Sequence, residues 1–485
     1  MEMKDLKPQG IWQNFHLLTQ VPRPSGHLEK IQSFLLQWAK ERNIEAFQDN
    51  AGNIVMRKPA TTGYENLKTV TFEAHMDMVP QKSADSNHNF ETDPIQTYID
   101  GDWVKAKGTT LGSDDGIGVA TAMAVFEDNT LEHGPLEALF TVDEETCMYG
   151  VNHLEKDTLK GDILLNLDNE TEGEFIIGCA GGMDVAGELD YQEADTTDGD
   201  IAVKVTLKGL KGGHSGLEIS LGRANANKLL ARFLNEAVQE FDTDLVSWEG
   251  GNMRNAIPNR AEAILTLAAE DKAAMQALVE EWGSTFRSEY QGIEDDLEFV
   301  CEDIPLPSKT VPAEIRDNLI NAVMACHSGV LRQIPSIPDI VETSCNLGIV
   351  KIAGGKAETD VLVRSSCETM LEYLAESVNA AFSMAGMQTS YNGRYPAWQP
   401  NNASPIVEVV RKVYKEINHT ECTVQVVHAG VECGIIQTVY PEMDAVSFGP
   451  TLRSPHTPFE RCNIPSVEKY YKFVLELLKQ IPAKQ

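Results

Sequence analysis

What this 485-residue chain lacks narrows its class. Positive charge is scarce: 40 Lys and Arg stand against 73 Asp and Glu, a formal net charge of −33. Such a chain repels phosphate backbones, which argues against nucleic acid as a partner, and most of its acidity must form a solvated surface. No run of about 18 apolar residues occurs, which argues against a membrane span. Met1-Glu2-Met3-Lys4-Asp5-Leu6-Lys7 lacks the apolar stretch of a signal peptide. Cysteine is sparse: nine residues, an odd number with no C-x-x-C pair, read as free thiols of a reducing compartment rather than a disulfide framework. The expectation is a cytoplasmic protein with no membrane attachment. Internal repeats and low-complexity segments are missing too.

The length exceeds one ordinary core, so two domains are expected. Strand and helix patterns alternate through the first part: residues 31–39 carry helical apolar spacing, and 46–57 read as extended around the turn Asn50-Ala51-Gly52-Asn53. From there the pattern groups strands, helices and hairpins. Residues 201–208 and 261–268 read as strands, 224–241 and 271–290 as helices, and 347–352 with 359–364 as a hairpin around Gly354-Gly355. Alternation resumes with a helix over 404–418, the segment 423–427 and the His456 loop. The reading is an α/β fold: a catalytic domain with a mostly parallel sheet (1–183 and 398–485), interrupted by an inserted α+β lid (184–397) that has room for two subdomains.

The residues that carry chemistry sit at the ends of apolar segments. Thr71-Phe72-Glu73-Ala74-His75-Met76-Asp77 reads as a buried strand ending in His-x-Asp. There one side chain can ligate a metal while the other orients it, although a strand-end histidine is usually only hydrogen-bonded. A Gly-rich loop over 112–118 opens an apolar helix and carries Asp114 and Asp115; capping of the helix N–H groups accounts for at least one of them. An apolar strand runs into Asp143-Glu144-Glu145, a cluster that is costly unless solvated or neutralised by cations. Residues 163–167 run into Asp168, and 446–450 lead to a loop with His456. Open α/β sheets hold ligands at the carboxyl ends of their strands. Two histidines and several carboxylates without cysteine suit zinc, cobalt or manganese. The surplus of carboxylates over one tetrahedral shell points to two metals sharing an Asp.

The order His75-x-Asp77, Asp114, Glu144-Glu145, Asp168, His456 resembles the co-catalytic zinc aminopeptidase and carboxypeptidase superfamily. Within it the chain is similar to the bacterial aminoacyl-histidine (Xaa-His) dipeptidases, carnosinases or cytosolic non-specific dipeptidases. The likeness runs from Trp12 and Val21-Pro22-Arg23-Pro24-Ser25 to Ile481-Pro482-Ala483-Lys484. It takes in residues 178–182, 208–216, 254–258 and 428–434. The resemblance implies two Zn2+ per subunit, with Co2+ or Mn2+ as substitutes. His75, Asp114 and Asp168 would hold one and Asp114, Glu145 and His456 the other, leaving Asp115 to cap the helix.

Glu144, free of metal, would be the general base toward a dizinc-bridged water, and Asp77 would orient His75. The residues alone leave Asp143 as an alternative to Glu144, because the strand has ended there. By the same resemblance His214, helped by Asn255, stabilises the oxyanion; Arg364, at the end of a lid strand, is placed to clamp a substrate carboxylate, with a surface salt bridge as its ordinary role. Gly430 and Glu432 approach the substrate by backbone and by charge. The remaining histidines, His428 among them, show no comparable pattern. The expected activity is hydrolysis of unblocked dipeptides, notably Xaa-His and β-alanyl-histidine. The competing readings are an N-acyl amino acid deacylase or carboxypeptidase of the same superfamily, and a metal-binding protein without catalysis. A homodimer through the lid, with His214 supplied across it, stands beside a single-chain arrangement.

Overall fold

Three apolar segments, Val70–His75, Leu136–Thr141 and Ile163–Asn166, are buried along their whole length, as befits strands covered on both faces. They pair in parallel with one another, and Asp444–Ser447 joins them in parallel. Around this centre an eight-stranded sheet forms in the order Glu45–Gln48, Ile54–Lys58, Leu136–Thr141, Val70–His75, Ile163–Asn166, Asp444–Ser447, Glu174–Cys179, Thr423–Val427. Its centre is parallel as expected, and antiparallel pairs flank it on both sides. The computed structural model describes residues 2–335, 337, 339–401 and 403–484.

Register decides where the site can form. His75 pairs with Thr141, and Asn166 lies opposite both Glu73 and Ser447. The four parallel strands therefore finish at one edge, and the segments that follow each of them leave from that edge.

The chain divides into two compact units. One comprises the residues up to Gly178, Trp398–Val426 and Val431 onward; the other comprises Cys179–Ala397 with Val427–Gly430. The second unit is built on a nine-stranded sheet whose pairings are all antiparallel. The sequence left room for two subdomains here, but the sheet is continuous. The hairpin Val341–Ala353/Lys356–Ser365 pairs outward on both sides, with Asp244–Gly250 and with Gly181–Asp190. Its turn uses Gly354 and Gly355 at φ 60 and 82°, a region that costs glycine little. Helices Ala226–Glu240, Lys272–Glu289, Ala313–Ala325 and Glu368–Met384 share an apolar core with this sheet, centred on Phe233, Trp248, Phe286 and Phe382.

Candidate metal centre

His75 closes its strand, and Asp77 follows two residues on in the segment beyond it. Asp114 lies in a segment that precedes the regular helix, since both Asp114 and Asp115 have non-helical φ/ψ; the peptide between them is cis. Asp115 Oδ1 accepts from the Gly118 N–H at 3.1 Å, a capping contact of the kind expected of at least one of the two acids. Glu144 and Glu145 open a short helical turn after Thr141. Asp143, the alternative to Glu144, has φ 52° and accepts from Gly26 N–H at 2.6 Å. Its carboxylate is held by the Gly26 loop, whereas Glu144 joins His75 and Glu145 in one cluster.

Three overlapping groups of ligand-type atoms lie within 4.8 Å of one another: His75/Asp114/Asp168, His75/Glu144/Glu145 and Asp114/Glu145/His456. Asp114 stands in the middle. Its Oδ1 is 3.1 Å from His75 Nε2 and its Oδ2 is 3.1 Å from His456 Nε2. Asp168 Oδ1 lies 3.6 Å from His75 Nε2, and Glu145 Oε2 lies 3.0 Å from His456 Nε2. Asp77 Oδ1 sits 3.5 Å from His75 Nδ1, an electrostatic contact rather than a short hydrogen bond. The Asp77 carboxylate also accepts from Ser25 Oγ (2.7 Å) and from the N–H groups of Glu144 (3.1 Å) and Glu145 (3.3 Å). One buried acid thus ties the first histidine to the acidic turn.

So many buried carboxylates perturb one another. Burial pushes the Glu144 carboxyl up to about 8; His75 opposes this, while Glu145, Asp114 and Asp77 add to it. Burial likewise drives Asp168 and Asp115 well above the carboxylate range. Burial alone would raise Asp114 too, but hydrogen bonds from His456 and His75 hold it far below the usual value. His456 is raised to about 11, first by its hydrogen bond to Asp114 and then by Glu145. Both imidazoles are stabilised as cations, so the cluster calls for positive charge between its carboxylates. Metal cations supply it without protonating the ligands, and Glu145 Oε1 is buried with no hydrogen-bond partner. The donor set of imidazole and carboxylate without thiolate therefore fits a pair of divalent cations.

The remaining candidates form a second group, all in the inserted unit except Glu432. Gly213–His214 pairs with Ala256–Ile257, so that His214 lies opposite Ala256, beside Asn255. His214 Nδ1 accepts from the N–H groups of Gly216 and Leu217 at 3.1 and 3.0 Å. Its single proton therefore resides on Nε2. Burial, then Arg364, lowers its pKa to about 4, so the ring is neutral near pH 7. Arg364 is buried and donates to Tyr395 Oη at 2.6 Å. A Cβ at Gly216 would stand 3.1 Å from His214 Cε1 and 3.2 Å from Arg364 Nε, which places the arginine beside the His214 turn. Gly430 belongs to the short Val427–Gly430 segment of this unit. Glu432 departs from the expectation of a charge facing substrate. It starts a helix in the other unit, 1% exposed, and accepts from Thr141 Oγ at 2.7 Å. Burial, then Glu73, raises it well above the carboxylate range, making it an internal carboxyl.

Sequence reasoning missed Arg23, Ser25 and Glu460, whose buried contacts surround the ligand-bearing loops. Arg23 and Ser25 entered only as part of the likeness over residues 21–25, with no role given, and Glu460 lies four residues after His456.

Residues 71–480 match the model of peptidase family M20/M25/M40. The chain is 43% identical over 483 residues to the cytosol non-specific dipeptidase of Escherichia coli (strain K12), covering 100% of each. It also resembles the crystal structure of aminoacylhistidine dipeptidase from Vibrio alginolyticus, with a TM-score of 0.92 and 41% identity over 100% of this chain and 99% of that one. A tripeptidase from Staphylococcus aureus shares the fold at a TM-score of 0.57 and 15% identity, covering 99% of both. The chain belongs to peptidase family M20/M25/M40, as a homologue of the cytosol non-specific and aminoacylhistidine dipeptidases.

Proposed function

We propose that this protein is a dizinc dipeptidase that hydrolyses unblocked dipeptides, Xaa-His and β-alanyl-histidine among them. The observation that carries the reading is the placement of Asp114, whose two oxygens face two different imidazoles. On its Nε2 side each imidazole also has a second carboxylate oxygen, Asp168 Oδ1 at 3.6 Å from His75 and Glu145 Oε2 at 3.0 Å from His456. His75, Asp114 and Asp168 would hold one ion; Asp114, Glu145 and His456 would hold the other. Zinc suits these donors, with cobalt or manganese as substitutes. When bound, the ions supply Lewis acidity, lowering the pKa of water and polarising the scissile carbonyl.

The protein's own groups do the rest. Glu144 takes the proton of the attacking water and passes it to the leaving amine. Asp77 keeps the His75 ring in position and, through the Glu144 and Glu145 N–H groups, the acidic turn as well. His214 donates from Nε2 to the carbonyl oxygen as negative charge develops there, with Asn255 assisting. Arg364 has no carboxylate within ion-pair distance among the described residues, and it receives the substrate's terminal carboxylate. The inserted unit acts in this scheme as a lid that limits substrate length and excludes bulk water.

The test is hydrolysis of alanyl-histidine and β-alanyl-histidine by the purified protein, with chelator and zinc add-back, beside N-acetylated controls. Zinc-restored cleavage of the free dipeptides alone is the expected result. Cleavage of the acetylated substrates alone would make the protein a deacylase.

A further inference from the structure

The segment that carries Asp114 is gripped by two buried ions that are far apart in the chain. Glu460, 2% exposed, turns both oxygens onto it. Oε2 accepts from the N–H groups of Leu111 (2.7 Å) and Gly112 (3.0 Å). Oε1 accepts from Ser113 N–H (2.7 Å), Ser113 Oγ (2.7 Å) and Asp114 N–H (3.3 Å). Arg23, also 2% exposed, holds the carbonyl side: Nη2 donates to Gly112 O, while Nη1 donates to Met76 O (3.0 Å) and Asp77 O (2.9 Å). No carboxylate lies within ion-pair distance of Arg23 among the described residues, so its charge is directed at backbone carbonyls. Gly112 and Gly116 make this possible: a Cβ at either would stand 2.7 or 2.3 Å from Arg23 Nη2.

A buried charge is costly unless its partners are fixed, and here the fixed partners are the peptides on either side of a ligand. We propose that Glu460 and Arg23 are positioning residues for Asp114. The anion organises the N–H groups of segment 111–114, and the cation ties that segment to the His75–Asp77 strand end, so that the shared carboxylate is held between two histidines. The inference rests on Asp114 being the common ligand, as proposed above.

The test uses full-length protein stripped with chelator and titrated with zinc and, separately, with cobalt, which reports coordination through its visible spectrum. Glu460→Gln should remain folded by circular dichroism and bind both equivalents about 10–100-fold more weakly, the usual cost of losing a partner behind the ligands. Its cobalt spectrum should be altered, and kcat on alanyl-histidine at saturating metal should fall while KM stays near wild type. Arg23→Lys, which cannot reach three carbonyls in one plane, should lie between the two. A folded Glu460→Gln protein with wild-type affinity and spectrum would overturn the proposal. If that variant does not fold, Ser113→Ala decides, since it removes one of the five donors. A several-fold weakening of metal binding supports the clamp, and wild-type affinity and spectrum overturn it. Asp114→Asn in the same series separates the two levels: unchanged metal binding there would mean that Asp114 is not the ligand.

Discussion

Asp114 and Glu144 lie in overlapping clusters, yet their surroundings differ. Asp114 is held anionic by two imidazoles, which suits a ligand, whereas Glu144 is lifted to about 8 by burial and neighbouring acids. At that value the carboxyl is mostly protonated near neutral pH, and the cations proposed beside it would return it to the anion that a general base must be. Glu144→Ala is therefore expected to keep its metal, measured by elemental analysis, and to lose about 10²–10⁴-fold in kcat. His214 offers a neutral Nε2–H donor, because two backbone N–H groups occupy its Nδ1. His214→Ala should cost about 10²–10³-fold in kcat, the range for one oxyanion donor, with metal content unchanged. If KM alone responded, the histidine would be a binding group rather than an oxyanion donor.

Among the elements, caps and strand ends do the placing. Helix Ala226–Glu240 starts at Asn225, whose Oδ1 accepts from Asn227 and Lys228 N–H while its Nδ2 donates to Leu347 O at 3.0 Å. One side chain thus caps a helix and satisfies a carbonyl of the neighbouring strand. Asn225→Ala should destabilise the protein by about 1–3 kcal/mol, from the lost cap and the orphaned carbonyl. Asn225→Asp, which keeps only the acceptor, should fall between the two in denaturant unfolding. Much at this scale was legible in sequence. The strand 261–268 and the hairpin at Gly354-Gly355 lie where alternation and turn residues put them. The continuity of the inserted sheet was not legible, because which strands pair outward from a hairpin depends on partners 100 residues or more away.

On the scale of the whole molecule, acidity and metal content should set stability. His214 is depressed to about 4 and His428 to about 3, in both cases by burial first and then by Arg364. Both values lie below the ordinary 6.5, so the unfolded chain takes up protons first as pH falls. The stabilisation from neutral burial is complete above about 6.5 and is lost progressively as pH drops toward 4 and then 3. Near pH 5 this amounts to about 2 kcal/mol for His428. Denaturant midpoints should therefore fall between pH 7.5 and 5, and His428→Asn should flatten that dependence. Metal removal acts in the same sense: two bound ions at a thousandfold excess over Kd would each contribute about 4 kcal/mol. Chelation should lower Tm and zinc should restore it, a pair of shifts that differential scanning fluorimetry reads directly.

The chemistry available follows from residue type and order: an acidic chain, apolar strands that finish in His-x-Asp and in clustered acids, and a distant second histidine. Those features are local, written in side-chain type and periodicity within a few residues. Tertiary structure alone decided which oxygen of Asp114 faces which histidine, that Asp143 turns to Gly26 instead of the cluster, and that Glu432 is an internal carboxyl. It alone brought Glu460 to the N–H groups of Leu111 to Asp114. Contacts of that kind join residues more than 340 positions apart, and a buried ion differs from a solvated one only in the partners that folding delivers.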